Sequence, residues 1–102
     1  MLAMAGVWAP VHLEGPTAAI LTTSPNALVA PIHNRMPVIL DLDALEAWLD
    51  PSAEPAVLSA MLAPAPTESL RMWPVSTAVN KVDTDGPELL RPVEPAPSLG
   101  LV

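Results

Sequence analysis

Fourteen prolines among 102 residues constrain this chain more than any other feature of its sequence. Each proline removes a backbone donor and fixes φ, so it interrupts a helix or a sheet wherever it falls. We therefore expect short helices and strands joined by many turns. The length allows one domain, or part of one, with a modest hydrophobic core.

The composition limits the kind of core and the chemistry. There are three Trp and no Phe or Tyr, so each Trp is a major anchor for packing. There is no Cys, which excludes a disulfide, a thiolate nucleophile and Cys-ligated zinc within this sequence. We expect no cofactor.

The charge argues against sequence-independent binding of nucleic acid. The formal net charge is −7, and such binding depends on basic side chains that displace counterions from phosphates. Any contact with a polyanion would have to be local. The basic residues available for it are Arg35, Arg71, Lys81 and Arg91.

No membrane segment is expected, although the mean hydropathy is positive. A spanning helix needs about 20 apolar residues, and the longest uncharged stretch, from Gly15 to Ile32, contains three prolines. The apolar amino terminus, Leu2 to Val11, has no basic residue ahead of it, which argues against a secretory signal. We expect a cytoplasmic protein.

The order of the elements predicts an α+β fold. Periodicity and composition predict strands at residues 3–8, 18–23, 36–40 and 70–77 and helices at residues 41–50 and 55–62. Gly6 is expected to mark a bulge or a close backbone approach, and Pro74 to restrict the last strand to an edge or a bulge. Asp85-Gly86 is a strong turn signal, and residues 93–102 form a Pro-rich tail that we expect to be mobile.

Capping residues and buried faces follow from the same pattern. Ser24 is expected to cap one helical turn at residues 26–30 with Pro25 at its first position. Asp43 and Glu46 suggest a capping box in the first long helix. The buried side of the second helix is predicted to consist of four residues: Val57, Leu58, Met61 and Leu62.

The stretch most suited to chemistry lies between Pro31 and Pro37, which limit the freedom of His33, Asn34 and Arg35. An imidazole that titrates near neutrality, two positions from a permanent cation, can move a proton beside a bound anion. The alternative is structural: His33 hydrogen-bonds to the backbone, and Arg35 pairs with an acid.

Two other groups are weaker candidates. His12 and His33 have no recognisable metal-ligand spacing, so we expect no metal site. Asp41, Asp43 and Asp50 would offer carboxylates for acid–base chemistry. Acids at the ends of a short helix more often cap it and face solvent.

Several strings of this sequence together resemble the C-terminal half of the SOS response-associated peptidase (SRAP) family, whose members process abasic sites. The resemblance runs from about Ala3 to Pro92. It is carried by AGVW at Ala5 to Trp8, ILTT-x-x-NA-x-VAPIH-x-RMPVIL at Ile20 to Leu40, AWLDP at Ala47 to Pro51, PVS-x-x-VN at Pro74 to Asn80 and DGPELL at Asp85 to Leu90.

The resemblance implies an α+β domain over residues 1–92 with a β-rich, barrel-like centre that binds single-stranded DNA carrying an abasic site. In the family an N-terminal Cys condenses with the ring-opened sugar to give a thiazolidine. His33 corresponds to the family's histidine that assists ring opening and crosslink turnover. Arg35 corresponds to the arginine that contacts DNA phosphate.

The sequence departs from the family pattern in ways that matter for activity. Ala9 stands where the family has Glu after the AGLW string, and Asn34 replaces the commoner Asp. The N-terminal Cys-Gly-Arg block has no counterpart, and Leu2 stands where the Cys would be. We therefore expect an inactive fragment that depends on a missing N-terminal half. The alternatives are a non-catalytic remnant or interaction module, and a chain that does not fold alone.

Overall fold

The computed structural model describes residues 1–11 and 13–94, which form two compact units. The first unit is Met1–Leu70, and the second begins at Arg71 and is described as far as residue 94. His12 and residues 95–102 of the predicted tail lie outside the described residues. Within the described ranges, no helix is long and apolar enough to cross a membrane.

The first unit is built around six short strands in three antiparallel pairs. The pairs are β1 with β6, β2 with β3, and β4 with β5. Three of the predicted strands are therefore present, but each is divided in two by one residue. The strands are β1 (Ala3–Met4), β2 (Gly6–Ala9), β3 (Thr17–Ile20), β4 (Thr22–Thr23), β5 (Met36–Pro37) and β6 (Ile39–Leu40).

The three dividing residues, Ala5, Leu21 and Val38, form a strand junction. The Ala5 N–H donates to the Val38 carbonyl at 2.8 Å, the Leu21 N–H to the Ala5 carbonyl at 3.0 Å, and the Val38 N–H to the Leu21 carbonyl at 3.0 Å. This ring of bonds lets each bent strand pair with one neighbour on each side of the bend. It also satisfies the amides at the centre, where an unpaired buried donor would be costly.

The hydrophobic core lies at this junction. Ala5 and Val38 are both 0% exposed, and Leu40 is buried beside them. Ala5 and Val38 have small side chains and lie where three backbone segments converge. Around them pack six partly buried residues: Ala3, Leu21, Ala44, Leu45, Trp48 and Met61.

Strands and helices together confirm the predicted α+β class. Within the described residues each sheet has only two strands and is open at its edges. Gly6 provides the predicted close approach, since a Cβ there would lie 3.2 Å from the Ala19 carbonyl oxygen. The closed, barrel-like centre stays a prediction.

The first helix, α1 (Leu42–Leu49), confirms the predicted element but not its cap. The N-cap is Asp41, whose carboxylate accepts the Ala44 N–H at 2.8 Å. Because the helix begins at Leu42, Asp43 already lies in its first turn, and the capping box predicted for Asp43 and Glu46 is wrong.

The second helix, α2 (Pro55–Ala60), is shorter than predicted and buries less. Met61 packs against the core and Leu58 is half-buried, but Val57 and Leu62 are exposed. Assigning Val57 and Leu62 to the buried side was wrong. A helix of six residues has less than two full turns, so only a narrow side of it meets the core.

The turn before the candidate site is capped by Asn26, so the prediction of Ser24 as its cap is wrong. The Asn26 side-chain oxygen accepts the N–H groups of Leu28 and Val29 at 3.1 and 3.0 Å. Its amide nitrogen donates to the Ala65 carbonyl at 2.9 Å. Asn suits this position because its side chain reaches backbone amides two or three residues ahead.

The second unit contains no strand among its described residues, so the strand predicted at 70–77 is wrong. Proline 74 lacks a ladder donor, and the Ser76 hydroxyl instead accepts the Ala78 N–H to cap a 3₁₀ helix, Thr77–Asn80. Trp73 donates its indole N–H to the Leu90 carbonyl at 2.8 Å. Gly86, with φ of 125°, makes the predicted turn and precedes a second 3₁₀ helix, Pro87–Leu90.

Removing the observed cap of α1 is expected to destabilise the first unit. Asp41→Ala should lower the free energy of unfolding by about 1 kcal/mol, because the Ala44 N–H loses its acceptor. Asp43→Ala is the matched control and should cost only about 0.3 kcal/mol, through the helix dipole. Urea denaturation followed by circular dichroism measures both. An equal loss for the two variants would contradict the assignment of the cap.

Candidate functional site

The site segment, His33 to Arg35, connects the Asn26-capped turn to β5. The turn ends where the N–H groups of Ile32 and His33 both donate to the Val29 carbonyl, at 2.8 and 3.0 Å. Arg35 is followed at once by Met36 of β5, whose side chain is buried. Both ends of the segment are thus fixed, while His33, Asn34 and Arg35 are themselves exposed.

The His33 ring is held by the backbone of Arg35. Its Nδ1 lies 3.0 Å from both the N–H nitrogen and the carbonyl oxygen of Arg35. A neutral ring either accepts the Arg35 N–H at Nδ1, with its own proton on Nε2, or carries its proton on Nδ1 and donates it to the Arg35 carbonyl, as a protonated ring also can. In each state Nδ1 has a partner in Arg35, so Nε2 is the nitrogen left to exchange protons with a ligand.

The Arg35 guanidinium is held by Thr22 on the neighbouring strand. Its Nη2 donates to the Thr22 carbonyl at 2.8 Å and to the Thr22 hydroxyl at 3.1 Å, and its Nε donates to the same hydroxyl at 3.2 Å. These bonds use one edge of the planar guanidinium and so fix its plane. Nη1, on the other edge, is turned away from Thr22 and can meet an anion.

Sequence reasoning missed Thr22. The residue belongs to β4, where it pairs with Pro37 of β5, and this antiparallel register brings it beside Arg35. The signal was the hydroxyl pair in the ILTT string. It could be used only once the register of β4 against β5 was known.

Thr22→Val is expected to free the guanidinium of Arg35. The variant removes the hydroxyl that accepts from both Nε and Nη2 and leaves only the carbonyl contact. In ¹H–¹⁵N spectra the Nε–H of Arg35 should exchange with solvent at least several-fold faster in the variant. Thr67→Val, in an exposed 3₁₀ helix, is the control and should leave that rate unchanged. An unchanged exchange rate of the Arg35 Nε–H in Thr22→Val would contradict the proposal that the Thr22 hydroxyl holds the guanidinium.

Two of the three candidate acids, Asp41 and Asp50, have structural partners, and Asp43 lies exposed in the first turn of α1. Asp41 caps α1, and Asp50 accepts the N–H and hydroxyl of Ser52 at 2.9 and 2.7 Å. These hydrogen bonds lower the pKa of Asp50, which stabilises its charged form and suits it poorly to donate a proton. The bonds stabilise the fold above the ordinary pKa of an aspartate and are lost as the pH falls through the lowered value.

No metal-binding group emerges from the described part of the chain. Residues 1–11 and 13–94 contain no cluster of three or more His, Cys, Asp or Glu side chains that could hold an ion. His12, one of the two histidines considered for a metal, lies outside those ranges.

Comparison with known proteins agrees with the resemblance seen in the sequence. The family model described as SOS response associated peptidase (SRAP) matches residues 1–82. The abasic site processing protein HMCES of Gallus gallus is 44% identical over 100 residues, which cover 92% of this chain and 30% of that protein. The abasic site processing protein YoqW of Bacillus subtilis is 39% identical over 75 residues, covering 72% of this chain and 34% of YoqW.

A solved structure agrees on the fold. A protein from Bacteroides thetaiotaomicron superposes with a TM-score of 0.76 at 27% identity, over 91% of this chain and 44% of that one. By the two sequence matches, the chain spans about a third of the length of the curated relatives. The family model alone covers well over half of its residues. This chain belongs to the SOS response-associated peptidase family.

Proposed function

We propose that this chain supplies the histidine and arginine of a site that processes abasic sites in single-stranded DNA. One observation carries the proposal. In a three-residue exposed segment, the His33 imidazole is held at Nδ1 and the Arg35 guanidinium is held along one edge by Thr22, which leaves the opposite atoms of both available. Relatives named as abasic site processing proteins support the choice of substrate.

His33 is proposed to move protons during opening of the abasic sugar. The closed sugar is a hemiacetal, so its opening needs a proton removed from the C1 hydroxyl and another given to the ring oxygen. With its proton on Nδ1, the neutral ring can accept the hydroxyl proton at Nε2, and the resulting imidazolium can give a proton from Nε2 to the ring oxygen. Nδ1 donates to the Arg35 carbonyl in both of these states. The same exchange serves reversal of a covalent link.

Arg35 is proposed to bind one DNA phosphate through Nη1. Thr22 acts as its positioning residue, since a guanidinium already fixed in plane loses less conformational freedom when the anion arrives. One contact is weak for a chain of net charge −7. We therefore propose that basic groups other than Arg35 make the remaining phosphate contacts.

The family's thiazolidine requires an N-terminal Cys, and this sequence contains none. We propose that residues 1–92 form the C-terminal part of the family domain and that an N-terminal part outside the given sequence supplies the thiol. In that assembly the open sheets would close into the family's barrel-like centre. For this assembly, and not for this chain alone, we propose the hydrolase, protease and crosslinking activities of the family. We propose that the assembly acts in the cytoplasm.

The chain alone is expected to leave abasic single-stranded DNA unmodified. Residues 1–102 incubated with such an oligonucleotide should give no heat-resistant band above free DNA on a denaturing gel, because no 1,2-aminothiol is present. Intact YoqW is the positive control. A heat-resistant adduct with the chain would show that it uses another nucleophile. It would overturn the proposal that the reacting group comes from outside the given sequence.

A further inference from the structure

Arg71 and Trp73 form a cation–aromatic pair within the second unit. The guanidinium carbon of Arg71 lies over the Trp73 ring, 5.2 Å from its centroid. Both side chains are exposed, and 41% of the Trp73 surface meets solvent. Within residues 1–11 and 13–94, no carboxylate pairs with Arg71 and its side chain makes no hydrogen bond. An accessible aromatic ring thus carries a cation whose N–H groups are free to bind an anion.

A cavity of about 330 Å³ adjoins this pair. We call it the Arg–Trp cavity, and its lining consists of Arg71, Met72, Trp73, Val75 and Leu90. The indole is fixed in the wall, because its N–H donates to the Leu90 carbonyl at 2.8 Å. Apart from the guanidinium, the lining side chains are apolar. An apolar pocket with one well-placed polar group is the usual form of a small-ligand site.

The second unit opposes an anion less than the first does. Residues 71–102 contain three of the four basic residues and four of the eleven acids, so their formal net charge is −1. Residues 1–70 contain one basic residue and seven acids, a formal net charge of −6. Local contact with a polyanion is therefore more favourable on the second unit than the total charge indicates.

A nucleotide with an unpaired base fits the chemistry of the Arg–Trp cavity. The planar guanidinium of Arg71 suits a phosphate, and the exposed part of the Trp73 ring suits a stacked base. A duplex keeps its bases stacked inside and offers no such face. An apolar peptide would leave Arg71 without an anion.

We propose that the Arg–Trp cavity is a nucleotide-binding subsite for single-stranded DNA, with Arg71 on a phosphate and Trp73 against a base. The choice of DNA rests on the proposed function, which requires phosphate contacts beyond that of Arg35. Binding at this subsite needs neither an abasic site nor His33.

Binding of undamaged DNA to the full chain tests the subsite. The probe is a fluorescein-labelled oligothymidylate, and its anisotropy gives the Kd. Arg71→Ala and Trp73→Leu should each raise the Kd at least about fivefold, because one loses the phosphate contact and the other the stacked base. Lys81→Ala is the matched control, since it removes the same charge from an exposed position outside the cavity. It should change the Kd by less than about twofold.

Two further readouts separate the phosphate contact from the base contact. Each phosphate neutralised on a single strand adds about 0.7 to the slope of log Kd against log salt. Arg71→Ala should lower this slope by about 0.7, and Trp73→Leu should leave it unchanged. A base-free oligomer of tetrahydrofuran phosphates should bind more weakly than oligothymidylate, and equally to the unaltered chain and to Trp73→Leu. A purely structural pair would give neither pattern.

Three results would overturn the subsite: no binding of oligothymidylate by the unaltered chain, equal weakening by Lys81→Ala and Arg71→Ala, or an unchanged salt slope in Arg71→Ala. Self-association that Trp73→Leu abolishes, without DNA binding, would identify the cavity as a contact between copies and would also overturn it. Circular dichroism checks that the variants are folded. If Trp73→Leu unfolds, Arg71→Ala still decides, because the Arg71 side chain is exposed and makes no hydrogen bond within the described residues.

The outcome is separable from that of the proposed function, because the probe contains no abasic site. If Arg71 and Trp73 govern oligothymidylate binding but His33 has no effect on abasic DNA, the subsite stands and the catalytic proposal fails. If His33 matters while the Arg71 and Trp73 variants bind normally, the subsite fails and the catalytic proposal stands.

Discussion

Val38→Asp is expected to abolish cooperative folding of the first unit. Val38 is 0% exposed, and its backbone joins two sides of the strand junction. A carboxylate there would be buried without a partner, which costs about 3 kcal/mol or more. A unit of this size has a total stability of only about 4–10 kcal/mol, so a large share of that stability would be lost.

The valine at position 82 provides the control for this experiment. Val82 is fully exposed in the second unit, so Val82→Asp should change the urea midpoint very little. Circular dichroism and dispersion of amide proton signals measure folding in all three proteins. The account is contradicted if Val38→Asp unfolds at the same midpoint as the unaltered chain. It is also contradicted if the unaltered chain shows no cooperative transition and binds hydrophobic dyes as a molten globule does.

His33→Ala is expected to have the largest effect on chemistry, once the site is complete. The experiment uses a chimera in which the matching 75 residues of YoqW are replaced by those of this chain. Loss of a positioned acid–base group typically lowers a rate by about 10²–10⁴-fold. We therefore expect adduct formation with abasic single-stranded DNA, and reversal of the adduct, to slow at least about 10²-fold.

The neighbouring Asn34 is the matched control in the same chimera. It is exposed like His33, and neither of the backbone contacts that fix His33 and Arg35 uses its side chain. Asn34→Ala should leave the rates within about threefold. His33→Gln retains hydrogen bonding without a titratable ring, so it should be as slow as His33→Ala. Normal rates in both His33 variants would remove the proposed proton transfer.

The strands show what the sequence could and could not predict. The β-branched and apolar runs at 3–8, 18–23 and 36–40 correctly indicated extended segments. They could not indicate that Ala5, Leu21 and Val38 would each divide a strand, because the junction is a ring of hydrogen bonds between residues 16 to 33 positions apart in sequence. Such nonlocal pairing leaves no local pattern.

The wrong caps and the missing strand have local causes. Several polar residues precede each helix, and the sequence does not show at which of them the helical backbone conformation begins. Asp41 competes with Asp43, and Asn26 with Ser24, and the structure uses Asp41 and Asn26. At residues 70–77 the apolar pattern favoured a strand. Pro74 disfavours that strand, and Ser76 instead caps the 3₁₀ helix that follows it.

The site was predictable as a segment but not as a constellation. Two prolines bracketing His33 and Arg35 marked the place, and the resemblance suggested the roles, which stay predictions. The hydrogen bonds from Arg35 to Thr22 depend on the register between β4 and β5, which the sequence does not reveal. The contact between Nδ1 of His33 and the Arg35 backbone likewise depends on how the segment bends.

Mixing two polypeptides with abasic single-stranded DNA shows whether this chain completes a site whose thiol comes from outside its sequence. One is this chain, and the other is the part of YoqW that this chain does not match, which by the chemistry of the family would supply the thiol. We expect that neither alone gives a heat-resistant adduct at an appreciable rate, and that the mixture does so in proportion to the complex formed. An adduct rate with the YoqW segment that is unchanged by adding this chain would contradict the account.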